Sequence, residues 1–217
     1  SGSVEKHILA KFGGPTPGAL VESALYHVSL LEKFDFTDIV VSLKASSVDS
    51  TIRAYQLMAQ RCGYPLHLGV TEAGTARMGL IKSAIGIGSL LQQGIGDTLR
   101  VSHTADPVEE IAAGKDILKA LGMGAGPRLV SCPTCGRTRI DLIGLAGRVE
   151  EALRGCEKDI TVAVMGCAVN GPGEAREADI GVAGGVGEGL LFKKGQILRK
   201  VPEDQLLPAL LEEIEKL

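Results

Sequence analysis

A regular alternation of short apolar runs with helix-like stretches is the feature that most restricts the fold of this chain. The runs are typical of strands buried on both faces, and a stretch with helical periodicity follows each of them. The predicted strands are Asp38–Leu43, Leu66–Val70 and Thr98–Ser102, and the helices that follow them are Ser46–Cys62, Arg77–Gln93 and Pro107–Leu121. Strand–helix units in series predict an α/β fold with a parallel sheet and right-handed crossovers.

Two helical segments precede this alternation. Val4–Phe12 predicts one or two helical turns, which Gly13-Gly14-Pro15 should end. A second helix should begin at Thr16-Pro17, with Thr as the N-cap and Pro at the first position, and end near Lys33.

Polar residues help to choose between a doubly wound sheet and part of an eightfold barrel. Lys44, Thr71-Glu72 and Ser102-His103 lie at or just past the C-terminal ends of successive predicted strands. Barrel enzymes place their functional groups at that end of the strands, so the pattern favours a barrel. Because a complete barrel needs roughly 250 residues, we expect residues 1–122 to form the second half of one. His67 lies within a buried strand and is predicted to be a core residue with satisfied hydrogen bonds.

The chain changes character after residue 122. Gly122–Pro127 contains three glycines and one proline, which predicts a linker at 123–127. Residues 128–217 are then expected to form a small α+β module. Its predicted elements are strands Arg128–Ser131, Ile160–Val164 and Asp179–Ala183, helix Asp141–Arg154, a hairpin Leu190–Val201 turning at Lys194-Gly195, and helix Glu203–Leu217. The Gly-rich run Gly181–Gly189 lacks the Lys-Ser or Lys-Thr ending of a nucleotide-binding loop and is interpreted as a turn.

Composition excludes several classes of function. Hydrophobic residues make up 45%, the net charge is −3 and there is no Trp, which disfavours disorder and nucleic-acid binding. No apolar run approaches the ~20 residues needed to span a bilayer, and the N-terminus has no signal-peptide pattern, so the cytoplasm is the expected location. Five cysteines, an odd number, disfavour a secreted disulfide scaffold.

Three of those cysteines form the most informative pattern for function. Cys132 and Cys135 lie on one tight turn, and Cys167 supplies a further thiol in a Gly-rich segment. Such soft donors suit an iron–sulfur cluster or zinc, and spacing alone also leaves inert thiols open. Glu174 follows Cys167 by seven positions, behind the turn-forming run 170–173, and its carboxylate could fold back as a fourth, weaker ligand where a substrate can enter.

The other two cysteines are interpreted differently. Cys62 closes a predicted helix and Cys156 follows Gly155 at the end of another, so both are expected to be buried or surface thiols rather than ligands.

The motifs together resemble one enzyme family. VSLKAS, PLHLGVTEAGTAR, KSAIGIG, GIGDTLRVS, VSCPTCGR and MGCAVNGPGEA occur in that family in this order and spacing. The chain is therefore identified as similar to the 4-hydroxy-3-methylbut-2-enyl diphosphate synthases of the non-mevalonate isoprenoid pathway. The resemblance runs through the whole chain and also implies a (β/α)8 TIM-type barrel followed by a cluster domain. It further implies that Ser1-Gly2-Ser3 is native sequence just past a barrel strand.

The resemblance implies roles for individual residues. Cys132, Cys135, Cys167 and an exchangeable Glu174 would hold a 4Fe-4S cluster.

In the barrel, Lys44 and Arg100 would hold diphosphate oxygens, and Ser102 would donate to a phosphate oxygen or cap the next helix. Glu72 would orient a hydroxyl group or move a proton. His103 departs from the family, which usually has an apolar residue there, and a surface or packed histidine is expected.

The implied reaction is a reductive ring opening. 2-C-methyl-D-erythritol 2,4-cyclodiphosphate would be opened, reduced by two electrons and dehydrated to 4-hydroxy-3-methylbut-2-enyl diphosphate. Reduced ferredoxin or flavodoxin is the expected donor, and the family implies a homodimer in which the cluster module of one subunit covers the barrel mouth of the other. An iron–sulfur electron carrier and a zinc-stabilised binding module remain as alternatives.

Overall fold

A computed structural model describes residues 4–217, so the expectation for Ser1-Gly2-Ser3 lies outside the described residues. The chain divides between Gly124 and Ala125 into two compact units, here called unit 1 and unit 2. This division falls within the segment 123–127.

Helices make up most of unit 1. Its elements are α1 (Lys6–Phe12), α2 (Pro17–Glu32), α3 (Val48–Ala59), β1 (His67–Leu68), α4 (Ala76–Leu91), β2 (Thr98–Leu99) and α5 (Pro107–Ala120). The side chain of Thr16 accepts a hydrogen bond from the Ala19 N–H at 3.2 Å and caps α2, and Pro17 occupies its first position. The predicted helices are therefore confirmed, with ends that differ by a few residues.

The strands of unit 1 are shorter than predicted. β1 and β2 pair in parallel over two residues each, and the predicted strand Asp38–Leu43 is reduced to an isolated parallel bridge between Val41 and Leu66. The prediction of a regular strand there is wrong for a structural reason. The buried hydroxyl of Tyr55 accepts from the Leu43 N–H at 3.0 Å and donates to the His67 carbonyl, so these two backbone groups do not bond to each other.

Backbone hydrogen bonds nevertheless align three parallel segments side by side, residues 41–45, 66–71 and 98–100. Thr71 N–H donates to the Ala45 carbonyl at 3.2 Å, and Arg100 N–H donates to the Leu68 carbonyl at 2.9 Å. The carboxyl ends of the three parallel segments thus lie at one edge, which we call the C-terminal edge of unit 1.

Helix side chains cover these segments. The largest fully buried side chains of unit 1 are Ile8, Val21, Tyr55, Met58, Leu68, Ile87 and Leu90. Burying each of them contributes about 1.5–3 kcal/mol, which holds the segments in place although they share few ladder hydrogen bonds.

Unit 2 is built on a five-stranded sheet. Its elements are β3 (Arg128–Ser131), α6 (Leu142–Ala152), β4 (Thr161–Met165), α7 (Gly171–Glu174), β5 (Ile180–Gly184), β6 (Glu188–Lys193), β7 (Gln196–Pro202), a 3-10 turn (Glu203–Gln205) and α8 (Leu206–Glu215). The strand order is β3-β4-β5-β6-β7, with β3, β4 and β5 parallel and the last two strands antiparallel. The predicted hairpin is confirmed, because Lys194 and Gly195 form its turn with φ values of 48° and 75°.

Two predictions for unit 2 need correction. The run Gly181–Gly189 is not one turn, because Gly181–Gly184 lie in β5 and only 185–187 connect it to β6. The run 170–173 is predicted to form a turn, whereas residues 171–174 form the short helix α7.

The central part of the sheet in unit 2 is covered on both faces. Val162 and Val164 of β4 belong to a large core with residues of α6 and α8, whereas Ala163 and Met165 belong to a smaller cluster with Phe192. Successive side chains of a strand point to opposite faces, so β4 is buried on both sides. Its C-terminal end, where Cys167 follows, is therefore held firmly.

Within residues 4–217 no helix combines the length and apolar character required to cross a membrane.

Candidate functional site

Lys44 and Arg100 lie together at the C-terminal edge of unit 1. A Cβ atom placed on Gly69 would lie 2.9 Å from the carbonyl oxygen of Arg100 and 3.0 Å from Cε of Lys44. Any larger residue at position 69 would therefore push the Lys44 side chain away. The absence of a side chain on Gly69 lets the Lys44 side chain lie over this residue, close to Arg100.

The pKa values of this cluster reflect its crowding. Burial lowers the pKa of Lys44, and the positive charge of Arg100 lowers it further. Burial also lowers the pKa of His67, and Lys44 and Arg100 act in the same direction. A bound anion would offset the repulsion between these neighbouring positive charges, so the cluster suits a phosphate group.

Ser102 and Arg100 are joined by a hydrogen bond. Arg100 Nε donates to Ser102 Oγ at 2.9 Å, which places the hydroxyl beside the guanidinium group. The alternative role of Ser102 as a helix cap is wrong, because Asp106 caps α5 by accepting from the Val108 N–H at 2.9 Å.

Glu72 occupies an exposed position with an uncommon backbone conformation. Its φ of 51° lies in the left-handed region, where residues other than glycine are rare and concentrate at functional sites. Glu72 follows Thr71, whose N–H bonds to the Ala45 carbonyl at 3.2 Å, so it emerges next to the Lys44 segment. The neighbouring loops are tied by a hydrogen bond of 2.8 Å from the Thr104 N–H to the Gly74 carbonyl.

The two histidines of this edge differ from each other. His67 is half-buried, and its Nδ1 lies 2.7 Å from the Thr98 hydroxyl, so it is hydrogen-bonded as predicted but is not a core residue. His103 packs against Gly79 of α4, and both of its ring nitrogens are buried with no hydrogen-bond partner among the described residues. Of the two positions expected for His103, at the surface or packed, the structure shows the packed one.

The cysteine segments of unit 2 meet at the C-terminal ends of β3 and β4. Gly166 N–H, one residue before Cys167, donates to Cys132 Sγ at 3.2 Å, and Arg139 N–H donates to the Gly166 carbonyl at 3.1 Å. Because β3 and β4 are adjacent and parallel, the loops that follow them leave the same edge of the sheet. The topology thus brings together two segments that are 34 residues apart.

Cys135 is exposed on the turn that follows Cys132. The backbone N–H of Arg137 lowers the pKa of the Cys135 thiol, and the hydroxyl and N–H of Thr138 act in the same direction. Hydrogen-bond donors around a sulfur favour the thiolate, which is the form that binds metal.

Glu174 is oriented towards the Cys167 loop. Asn170 Nδ2 donates to Glu174 Oε1 at 3.3 Å, and Glu174 N–H donates to the Asn170 carbonyl at 2.8 Å. Side chains of helices lean towards the N-terminus of the helix, and the N-terminus of α7 is the end joined to Cys167. The carboxylate is therefore exposed and faces back along the loop.

The fit of these donors to a metal cluster can be tested on their chemistry and placement. No group of three or more His, Cys, Asp or Glu side chains within residues 4–217 has the geometry of a metal site, so this structure does not gather the three thiols and Glu174 into one coordination sphere. The donor set does fit a cluster in type, because iron–sulfur clusters are held by cysteine thiolates, and N–H and O–H donors beside a sulfur favour the thiolate. Cys62 and Cys156 are half-buried free thiols in other parts of the chain, as predicted.

Sequence reasoning missed two residues beside the predicted ligands. Asn170 precedes Glu174 by four positions, a spacing at which helical side chains meet. Thr138 follows Cys135 by three positions, a spacing typical of a side chain that bonds a nearby backbone N–H. Both signals could have been found in the sequence.

Comparison with known proteins gives family matches to both parts of the chain. A family described as the GcpE TIM-barrel domain matches residues 1–115, and one described as the GcpE protein C-terminal domain matches residues 128–216.

Individual relatives agree with these matches. The chain is 62% identical over 216 residues to a protein of Clostridium perfringens, covering 99% of this chain and 62% of the relative. It is 60% identical over 218 residues to a protein of Geobacter sulfurreducens, covering 100% of this chain and 62% of that relative. Both are named 4-hydroxy-3-methylbut-2-en-1-yl diphosphate synthase (flavodoxin). The chain thus spans about 62% of the length of the curated relatives it matches.

Proposed function

This chain belongs to the GcpE family, and we propose that it forms part of an enzyme that converts 2-C-methyl-D-erythritol 2,4-cyclodiphosphate to 4-hydroxy-3-methylbut-2-enyl diphosphate. The reaction opens the ring, consumes two electrons and releases water. The names of the relatives support this assignment, and so does the presence in one chain of a cationic cluster and of neighbouring loops that carry cysteines.

We propose that the two units divide this task. Residues 1–122 would form the second half of a (β/α)8 barrel, residues 123–127 a linker, and residues 128–217 the cluster domain. The three aligned parallel segments of unit 1, each followed by a helix, support the first part of this proposal.

In unit 1, the side chains at the C-terminal edge would bind the diphosphate. Arg100 offers a planar fork of N–H donors, Lys44 a mobile point charge, and Ser102 a hydroxyl that Arg100 already orients. Glu72 would hold a hydroxyl group of the substrate or move a proton at it.

In unit 2, Cys132, Cys135, Cys167 and Glu174 would hold a 4Fe-4S cluster. When bound, such a cluster transfers electrons one at a time and offers a Lewis-acidic iron. Glu174 would be the exchangeable ligand, because a carboxylate oxygen binds iron less tightly than thiolate sulfur does. Asn170 Nδ2 would donate a hydrogen bond to the Glu174 carboxylate when Glu174 is not bound to iron.

Partners and location are also part of the proposal. The name of the relatives includes flavodoxin, which supports reduced flavodoxin, or ferredoxin, as the electron donor. We propose a homodimer for the full-length protein and a cytoplasmic location.

The observation that carries the proposal is the 3.2 Å hydrogen bond from the Gly166 N–H to Cys132 Sγ. It brings the segment of Cys167 against the Cys132–Cys135 turn at the ends of two buried parallel strands. Loops that carry three soft donors and leave the same edge of the sheet suit a sulfur-ligated cluster.

Anaerobic purification of the full-length protein tests the cofactor. Brown protein with equal amounts of iron and acid-labile sulfide is expected, and colourless protein with bound zinc would instead favour a zinc-stabilised module. Titration with the cyclic diphosphate then separates an enzyme, whose cluster spectrum should change, from an electron carrier, whose spectrum should not. Turnover with a chemical reductant completes the test.

Mixing two inactive variants tests the dimer. Full-length Cys167→Ala lacks a ligand, and full-length Lys44→Ala lacks a phosphate contact. Activity recovered after subunit exchange supports active sites formed by two subunits, whereas a mixture as inactive as both parents opposes them.

A further inference from the structure

Thr138 links the backbone and the sulfur of Cys135. Its Oγ1 accepts a hydrogen bond from the Cys135 N–H at 3.2 Å, and its own N–H donates to the Cys135 carbonyl at 3.1 Å. A hydroxyl group has one proton to donate besides the lone pairs that accept. Cys135 Sγ lies 4.0 Å from Oγ1, at the limit of the distance over which that proton can be donated to sulfur.

Thr138 also touches the segment that carries Cys167. A Cβ atom on Gly166 would lie 2.9 Å from Thr138 Oγ1 and 3.2 Å from its Cγ2. The bare backbone of Gly166 therefore fits against Thr138, while its N–H reaches Cys132 Sγ at 3.2 Å. Thr138 thus lies against both segments that carry the proposed ligands.

We propose that Thr138 is a positioning residue that holds the Cys135 turn against the Gly166-Cys167 segment and raises the reduction potential of the bound cluster. This inference rests on the proposed function, because it requires the cluster to be held by Cys132, Cys135 and Cys167.

The physical reason is the charge that the cluster gains on reduction. An added electron increases the negative charge on the ligand sulfurs, and a hydroxyl dipole directed at one of them stabilises that charge. Hydrogen bonds to the sulfurs are among the factors that set the potential of iron–sulfur clusters. Removing the hydroxyl should therefore make the one-electron reduction of the cluster harder without removing a ligand.

The test compares three variants of the full-length protein carrying its cluster. Thr138→Val keeps the branched shape that packs on Gly166 but lacks the hydroxyl, whereas Thr138→Ser keeps the hydroxyl. Thr134→Val is the matched control, because Thr134 is an exposed residue of the same turn, between the two cysteines. The readouts are the midpoint potential from a redox titration followed by electron paramagnetic resonance, the iron content, and the rate of iron loss to a chelator.

A more negative potential in Thr138→Val, with Thr138→Ser and Thr134→Val near the parent, is the expected result. If Thr138→Val folds, as judged by circular dichroism, but holds no iron while Thr138→Ser does, the positioning role is supported as well.

The proposal is overturned if Thr138→Val matches the parent in potential and iron retention, or if Thr134→Val or Thr138→Ser shifts as far as Thr138→Val. A parent protein that binds no cluster at all would instead refute the proposed function, so the two failures are distinguishable.

Discussion

The hydroxyl of Tyr55 stabilises the backbone that carries Lys44, and its removal gives a well-defined perturbation. Tyr55 is fully buried, and its hydroxyl bridges the Leu43 N–H and the His67 carbonyl. The change Tyr55→Phe keeps the ring and leaves the Leu43 N–H without this partner, whereas the His67 carbonyl still accepts from the Ser42 hydroxyl at 3.1 Å. A buried group that loses its hydrogen bond costs about 1–3 kcal/mol. Since the buried hydroxyl is lost too, we expect a net destabilisation of about 2 kcal/mol.

Tyr64→Phe is the matched control for this change. Tyr64 also uses its hydroxyl in one hydrogen bond, to Glu32 Oε1 at 3.0 Å, but the bond is exposed and water can replace it. The control should change stability by less than about 0.5 kcal/mol.

Native-state hydrogen exchange of the full-length protein measures both effects. A loss of about 2 kcal/mol corresponds to roughly 30-fold faster exchange of the core amides of unit 1, and the Leu43 amide should respond at least as strongly. Diphosphate affinity should also fall, because Lys44 follows Leu43 directly. Equal exchange rates in Tyr55→Phe and Tyr64→Phe would refute the reasoning and would mean that the Leu43 N–H and the His67 carbonyl bond directly once the hydroxyl is gone.

Three further predictions concern the proposed site. Glu174→Gln in the full-length protein should keep much of the cluster but lose most turnover. Glu174→Cys should be stable and nearly inactive, because a thiolate is not easily displaced from iron. Iron content and turnover with a chemical reductant check both variants, and parental turnover in both would contradict Glu174 as a ligand. Burial and the charge of Arg100 lower the pKa of Lys44, so Lys44 should lose its charge below pH 10.5. Diphosphate affinity should therefore fall as the pH rises through this lowered pKa, and the stability cost of the crowded charge should disappear over the same range. Calorimetric titration should show this loss of affinity moved to higher pH in Lys44→Arg, and an unmoved loss would exclude Lys44 as its cause. His103→Leu removes two buried nitrogens that have no hydrogen-bond partner among the described residues and should stabilise unit 1 by about 1 kcal/mol or more. His67→Leu should not stabilise it, because this change breaks a hydrogen bond. Hydrogen exchange that shows unit 1 more stable in His67→Leu than in His103→Leu would contradict this.

Much of the local structure could be predicted because it depends on neighbouring residues. The periodicity of Pro17–Glu32, its Thr16 cap and the hairpin turn at Lys194-Gly195 are all decided within a few positions of the chain. The candidate residues at strand ends followed in the same way, since parallel strands place their carboxyl ends at one edge.

Other features depended on contacts between distant positions. The strand predicted at Asp38–Leu43 is interrupted by a hydroxyl from α3, and an apolar pattern carries no information about which side chain will reach its backbone. Ser102 likewise pairs with Arg100 rather than capping α5, a choice that depends on where each side chain can reach.

The sequence by itself determined which residues are the candidate donors, because three thiols and one carboxylate in these motifs allow few chemistries. The tertiary structure alone decided which groups touch them. Gly166 meets Cys132 across 34 residues because β3 and β4 are neighbours in the sheet, and Thr138 meets Gly166 because glycine leaves room for it. Strand order and close backbone approach are properties of the whole packed unit, so no short segment of the chain encodes them.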